Sequence, residues 1–574
     1  MDKITKSLLD SFVEQFEINK SPESVQFEHF SNYSITTKSY RNSFELEDVH
    51  TGSGGDCAID GLAIIVNGRL IFDYDELNDI VTGSGFLDAD IIFIQSKTSS
   101  SFDGSQMGTF VHGIKDFLSD TPRLVQNEKI RKIKLIWESI LSMSSYMINR
   151  RPICKVYYVC TGKWQGDQNL TAIIASGVEE LEHLNLFEEV NFEPLGASEI
   201  QKLYHETKNK LTATINLQNR ITLPDIDGIS EAYLGVVPYN EYLKLIQDDK
   251  KTIHSIFDDN VRDFQGENPV NKSIKKTLED GKFDLFCVLN NGVTIVASSI
   301  TPAGNRFTIR DYQIVNGCQT SHVLHDCQSI KGIENVFIPT KIIVTDNDDI
   351  KTSITLATNS QTEVKAEQLE ALSSFQRKLE LYYKAEKNSI ALHYERRSQQ
   401  YNSDAGIKRT QIISIPIQIK AFASMFLDSP HLVSGYYGTI VNRFTGKIFS
   451  DNHMPSLYYT SALAFYKIEQ FFRSGELNVK YKKIRFHLLM LIRLISMGDK
   501  IEPFNSNALD KKCEKLKDFL LHEEKSLRLF EKAVDIYEAS SIDKDKRQYK
   551  SESDTELFIE AYRQAVKKEM PIPQ

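Results

Sequence analysis

Residues 52–66 read GSGGDCAIDGLAIIV, and residues 89–97 read ADIIFIQSK. The first stretch carries an apolar run, Leu62 to Val66, then an Asn67-Gly68 turn and a second apolar run, Leu70 to Phe72. The second stretch holds the run Ile91 to Ile94. Short apolar runs bounded by turn residues predict buried strands. Two acids, Asp56 and Asp60, then stand at the head of one strand, with Gln95 and Lys97 at the tail of another. Gly52, Gly54 and Gly55 permit tight backbone geometry ahead of the first strand. They precede the strand instead of joining it to a helix, which excludes a dinucleotide-binding loop.

Working outward, residues 2–20 predict an amphipathic helix with Ile4, Leu8, Leu9, Phe12 and Phe16 on its apolar stripe, and residues 23–33 a second segment bearing Glu28. Asp73 to Val81 predicts a short helix, followed by helices at 110–118 and 125–149, the latter carrying Trp137. Ile153 to Cys160 and Phe187 to Phe192 predict strands, with helices at 170–184 and 197–208. This alternation predicts an α/β domain over residues 1–210. A central α/β domain is expected over 211–409. Its strands are expected at 212–237, 283–288, 293–297, 307–315 and 338–344, with Asn290-Asn-Gly turning the chain between the second and third. Asn271 is placed to cap a helix over 272–279. Residues 410–574 carry repeated apolar positions at helical spacing and predict a mainly helical C-terminal region.

A chain of 574 residues with 41% hydrophobic and 25% charged residues fits a folded, multidomain protein. A formal net charge of -10 excludes a uniformly basic nucleic-acid binder and a general binder of anionic membranes, but leaves room for a local basic cleft. The 7 cysteines form no CxxC pair, so neither a disulfide framework nor a four-cysteine zinc site is expected. A reducing, cytoplasmic location is expected from that usage and from the lack of a signal-like or membrane-spanning apolar run.

Asp60 offers a carboxylate oxygen and Gln95 an amide oxygen, hard ligands for Mg2+ or Mn2+, with Asp56 and Glu28 as further donors. By strand alternation Ser96 faces away, and Lys97 returns to the Gln95 face. There its ammonium can polarise a water or offset charge on a phosphate. This constellation resembles the PD-(D/E)xK nuclease superfamily, in its restriction-endonuclease-like members with Gln in the Glu position. The resemblance makes Asp60, Gln95 and Lys97 the expected catalytic residues and Asp60, Gln95, Asp56 and Glu28 the expected metal ligands. The Gly55-Asp-Cys-Ala-Ile-Asp-Gly61 run also looks like the Gly-Asp-x-Gly-x-Asp-Gly run of such enzymes that act on DNA, with Ala58 at the middle glycine.

Further along come Asn260-Val-Arg-Asp-Phe-Gln-Gly, Val270-Asn-Lys-Ser-Ile, Asn290-Asn-Gly-Val-Thr-Ile, Gln313-Ile-Val-Asn-Gly-Cys-Gln-Thr-Ser and Thr358-Asn-Ser-Gln. Together they resemble the AIPR family, named for abortive-infection phage resistance. The resemblance implies a bacterial defence protein, often with a nuclease-like N-terminal domain. Arg262, Asn290, Asn291, Asn316, Gln319, Thr320, Asn359 and Gln361 suit recognition of a nucleotide, a nucleic acid or a peptide backbone, or serve as turn and cap residues. Cys318 and His322 are spaced to meet on a helix. Arg396 and Arg397 can meet phosphates, and Tyr394 or Tyr401 can stack on a base, unless surface ion pairing accounts for them.

The leading expectation is a Mg2+-dependent endonuclease of antiphage defence, with DNA ahead of RNA as substrate. A homodimer, a defence-system partner and a phage trigger are the further partners expected. The rival expectation is a non-catalytic nucleic-acid-binding or sensor protein with a degenerate nuclease domain. A third is a central domain that binds a nucleotide and gates cleavage.

Overall fold

The run Leu62–Val66 becomes a fully buried strand, β1 (Gly61–Val66), in the computed structural model of the chain. Asn67 and Gly68 both take positive φ, 51° and 76°. That is the demand of the tightest hairpin turns, and it returns the chain as β2 (Arg69–Leu70). The structure describes residues 1–40, 42–52, 54–148, 150–208, 211–247, 253, 256, 269–359, 363–396, 400–401, 404, 406–433, 440, 443–444, 446–544 and 549–567.

The helices α1 (Lys3–Phe16), α2 (Glu23–Ser39) and α3 (Leu46–Val49) precede β1, and α4 (Tyr74–Ser84) follows β2. Strand β3 (Ala89–Lys97) returns antiparallel to β1, with Val66 opposite Ala89 and Gly61 opposite Ile94. Helices α5 (Gly104–Leu118) and α6 (Glu128–Ser142) lead to β4 (Ile153–Cys160), and α7 (Gln168–Glu182) leads to β5 (Glu189–Leu195) and α8 (Ala197–Lys208). Both β4 and β5 join in parallel, giving the order β2-β1-β3-β4-β5. Parallel strands are covered on both faces, which explains the unbroken apolar runs. Ile64, Ile91, Phe93, Val156 and Tyr158 share one core with Phe110, Ile114 and Trp137 of α5 and α6. Helix α6 is shorter than the expected 125–149, because Asn127 caps it by accepting from the Ile130 N–H at 2.9 Å.

A second mixed sheet follows. Its strands are β6 (Thr212–Asn216), β7 (Gln218–Thr222), β8 (Glu231–Pro238), β9 (Val293–Ala303), β10 (Arg306–Asn316) and β11 (Phe337–Val344). They lie in the order β6-β10-β9-β11-β8-β7. Two sequence expectations are corrected here. Residues 283–288 are not a strand but a 3-10 turn, Phe283–Leu285, and a helical turn, Phe286–Leu289. Within it Phe286 is buried while Val288 is 73% exposed, so a single anchor holds the segment and no strand neighbour is needed. Asn271 does not cap a helix but lies inside one, Pro269–Glu279, where its Nδ2 donates to Gln319 Oε1 at 2.6 Å.

The described residues divide into two compact units, Met1–Lys6 with Phe27–Leu369, and Ser7–Gln26 with Glu370–Gln574. The second is largely helical, with long helices at Ile415–Phe426, Pro455–Ser474, Arg485–Met497, Asn507–Leu521, Glu523–Ala539 and Glu552–Lys567. Its core is aromatic: Phe422 stacks on Tyr458 with ring centroids 4.1 Å apart. The Tyr458 hydroxyl accepts from the Phe449 N–H at 2.7 Å and lies 3.0 Å from His453 Nδ1. Arg493 is fully buried, donating to the Met425 and Gly498 carbonyls and pairing with Asp428. No described helix is long and apolar enough to cross a membrane.

Candidate functional site

Asp60 sits one residue ahead of β1, beside the end of β3, where Gly61 pairs with Ile94. Its backbone is clamped. The N–H donates to Ile94 O at 2.9 Å, and the carbonyl accepts from Asn32 Nδ2 of α2 at 3.1 Å and from the Thr51 N–H at 3.3 Å. Gly61 is required beside it, since a Cβ there would stand 2.2 Å from Asn32 Oδ1. The Asp60 carboxylate is buried, and its Oδ2 accepts from the Ser96 N–H at 2.8 Å and meets Lys97 Nζ at 3.5 Å. Burial pushes the Asp60 carboxyl up to about 6, and Glu28 and Asp56 add to the rise. Lys97 and the Ser96 amide oppose it. Gln95 is also buried, and its Oε1 has no hydrogen-bond partner among the described residues. Lys97 is about one-third exposed (32%), so the ammonium faces both Asp60 and solvent.

The approach to Asp60 is a strained turn. Asp56 accepts from the Ala58 N–H at 2.9 Å and the Gly54 N–H at 3.2 Å, while Cys57 and Ala58 take φ of 56° and 59°. Left-handed backbone is costly for residues with a Cβ. Asn127 pins the other side, donating from Nδ2 to Thr51 O at 3.0 Å and Gly54 O at 3.2 Å. Gly113 of α5 lets the helix close on the turn, since a Cβ there would lie 1.8 Å from Cys57 O. Ala58→Gly should relieve the strain and raise stability by about 1 kcal/mol. A urea unfolding midpoint that does not move, or that falls, would contradict this.

Glu28 is placed on α2 with Oε2 2.9 Å from His50 Nε2, close enough to raise the Asp60 carboxyl electrostatically. Beside it is a group that the sequence reading missed. Ligand atoms of His29, Glu47 and His50 all lie within 4.8 Å of one another. Glu47 and His50 are three residues apart, a Glu-x-x-His spacing at the end of α3, while His29 comes from α2. The available signal was His29 directly after Glu28, with His50 directly ahead of Thr51 and the glycine-rich loop.

The central polar residues gather at one end of the second sheet, where Asn316 of β10 pairs with Thr294 of β9. Asn316 Nδ2 donates to Thr358 O at 3.1 Å, and Asn290 Nδ2 donates to Phe286 O at 3.0 Å. Thr320 is buried, and Asn291 is exposed. Cys318 Sγ lies 3.6 Å from His322 Nδ1 on the helix Cys318–Asp326, and that nitrogen is also 2.9 Å from the Cys318 carbonyl. Burial lowers the His322 imidazole below its ordinary range. In the helical unit, Arg396 donates from Nε to Glu380 at 2.6 Å in a buried ion pair, and Tyr394 is fully buried. Arg262, Gln361 and Arg397, and the side chain of Asn359, lie outside the described residues.

The fold and these polar clusters define an α/β protein of two mixed sheets and a helical region, with an N-terminal group able to chelate a metal ion. The AIPR protein family matches residues 257–553, just over half of the chain, and the chain belongs to that family, which is linked to phage-defence systems. No curated protein and no solved structure matches the chain.

Proposed function

We propose that the N-terminal sheet carries a metal-dependent endonuclease of antiphage defence, hydrolysing phosphodiester bonds in nucleic acid, with DNA ahead of RNA. The observation that carries this reading is the buried Asp60 carboxylate at the end of β3, contacted by Lys97 and the Ser96 N–H beside the buried Gln95. This is the arrangement expected of a restriction-endonuclease-like site. The donor set fits Mg2+ or Mn2+: the buried Gln95 Oε1 has an unmet acceptor, and Asp60 supplies a carboxylate. Asp60 and Gln95 would hold the ion, with Asp56 or Glu28 as further oxygen donors. A bound Mg2+ would supply Lewis-acid charge at the phosphate. Lys97 is the group that can hold a water or a phosphate oxygen beside Asp60. The strained Asp56–Asp60 approach supports the same reading, since strain of this kind clusters at functional sites.

The central sheet and the helical region would recognise the substrate, a trigger or a partner subunit. The neutral Gln95 favours one second reading, a non-catalytic nucleic-acid sensor. Purified protein incubated with plasmid, linear duplex, single-stranded DNA and RNA, with and without Mg2+ or Mn2+, separates the two. Metal-dependent cleavage is the expected result. Tight binding in the presence of metal with no product would favour the sensor.

A further inference from the structure

We propose that His29, Glu47 and His50 form a second cation site, distinct from the Asp60–Gln95 pair and selective for a first-row transition ion of the Zn2+ class. His29 Nε2 and Glu47 Oε1 stand 3.6 Å apart. Two ligands at about 2.0–2.1 Å on a tetrahedral ion would be roughly 3.4 Å apart, so little movement is needed. The two imidazoles lie with centroids 4.3 Å apart and planes tilted by 48°, and both residues are buried. Lys129 Nζ takes the other Glu47 oxygen, Oε2, at 2.6 Å, and also donates to His50 O at 2.9 Å. It thereby fixes the carboxylate with Oε1 toward the rings. Behind His50, Glu28 Oε2 lies 2.9 Å from Nε2. A carboxylate on a ligating histidine sets the tautomer and raises the basicity of the ring.

Donor chemistry separates the two sites. Two imidazole nitrogens and one carboxylate oxygen suit Zn2+ and its neighbours, whereas an amide oxygen with a carboxylate suits Mg2+. Three protein ligands also leave a coordination position open. The site joins two helices: α2 gives His29, and α3 gives Glu47 and, at its C-cap, His50, which bridges to Gly61. The site therefore anchors the helix that carries Glu28 to the strand end that carries Asp60, which makes it a positioning site for the neighbouring chemistry.

Cobalt substitution tests this on the full chain. Titrating metal-free protein with Co2+ should give visible d–d absorption of a low-coordinate nitrogen and oxygen site, saturating at one equivalent and displaced by Zn2+ but not by Mg2+. His29→Ala and His50→Ala should abolish the bands. Glu47→Gln, at a half-exposed carboxylate (47%), should weaken Co2+ and Zn2+ at least tenfold. Asp60→Asn should leave the bands unchanged. Wild-type protein without the bands, bands indifferent to Glu47→Gln, or bands lost in Asp60→Asn would each overturn the proposal. Bands that survive in a protein cleaving no substrate would sink the nuclease reading and leave this site standing.

Discussion

Asp60→Asn should lower metal-dependent cleavage by roughly a thousandfold or more and, in metal-free buffer, make the protein more stable. The first effect follows from position. Asp60 is the buried carboxylate beside the end of β3, paired with Lys97, and an amide cannot match its charge at a cation. Lys97→Ala should follow with a loss of about a hundredfold, since it removes the exposed ammonium and leaves the buried oxygens in place. The second effect follows from burial. The carboxyl is pushed up to about 6 from its ordinary 3.8, chiefly by desolvation, so the ionised form is disfavoured in the folded chain. Between about pH 4 and 6 the folded state binds more protons than the unfolded state. The penalty is therefore absent below about 4, grows as pH rises, and is complete above about 6. It amounts to roughly 3 kcal/mol at pH 7.5, and Asn keeps an acceptor for the Ser96 N–H while losing the Lys97 pair. A net gain of about 1–2 kcal/mol is expected at pH 7.5, vanishing near pH 4. Chemical unfolding of both proteins at the two pH values reads this directly. An inactive variant that is also less stable would mean that Asp60 is a structural residue.

The helical unit should be acid-labile, losing most of its stability between pH 6.5 and 4. Burial pushes His453 down to about 4, with Lys378 adding to the effect, and pushes His487 down to about 3, with His431 adding. Both are neutral in the fold for visible reasons. The Tyr458 hydroxyl accepts from the Phe449 N–H and lies 3.0 Å from His453 Nδ1, which gives a neutral imidazole a hydrogen-bond partner. His487 stacks on Phe558 at 4.4 Å. In the unfolded chain both titrate near 6.5. Below that value the unfolded state binds more protons, and stability falls with falling pH by roughly 3 kcal/mol for each histidine by pH 4. His487→Phe should flatten about half of this slope. A guanidinium midpoint for the helical unit that stays constant from pH 7.5 to 5 would rule the account out.

The site strands were legible because burial on both faces leaves runs such as Ile91–Ile94 without polar interruption, and because Asn67-Gly68 can only turn. Parity put Lys97 back on the Gln95 face, and the structure sets its ammonium 3.5 Å from Asp60. Parity failed at 283–288, where six residues with four apolar side chains fit a strand as well as a helical turn. Only tertiary context, the single anchor at Phe286, decides between them. The His29, Glu47 and His50 group was illegible for another reason. Glu47 and His50 lie three residues apart at the end of α3, but His29 joins them only once α2 is laid against that helix, and its linear distance from the pair carries no trace of that. The buried pairing of Arg396 with Glu380 was hidden in the same way, since the two residues are sixteen positions apart.

The register between β1 and β3 gives the site a fixed gauge. Gly61 and Ile94 stand on one rung of the ladder, with Asp60 and Gln95 the next residue along each chain, so the backbones that carry the two side chains are held about 4.8 Å apart at that rung. The Asp60 N–H donation to Ile94 O, at 2.9 Å, fastens that end of the ladder. The chain between the strands, from Asn67 to Asp88, packs Ile71, Leu77, Val81 and Leu87 into the same core, so its buried positions are held while its exposed ones are free to vary. A one-residue slip of β3, by contrast, would move Ile94 off the Gly61 rung and turn Gln95 to the opposite face.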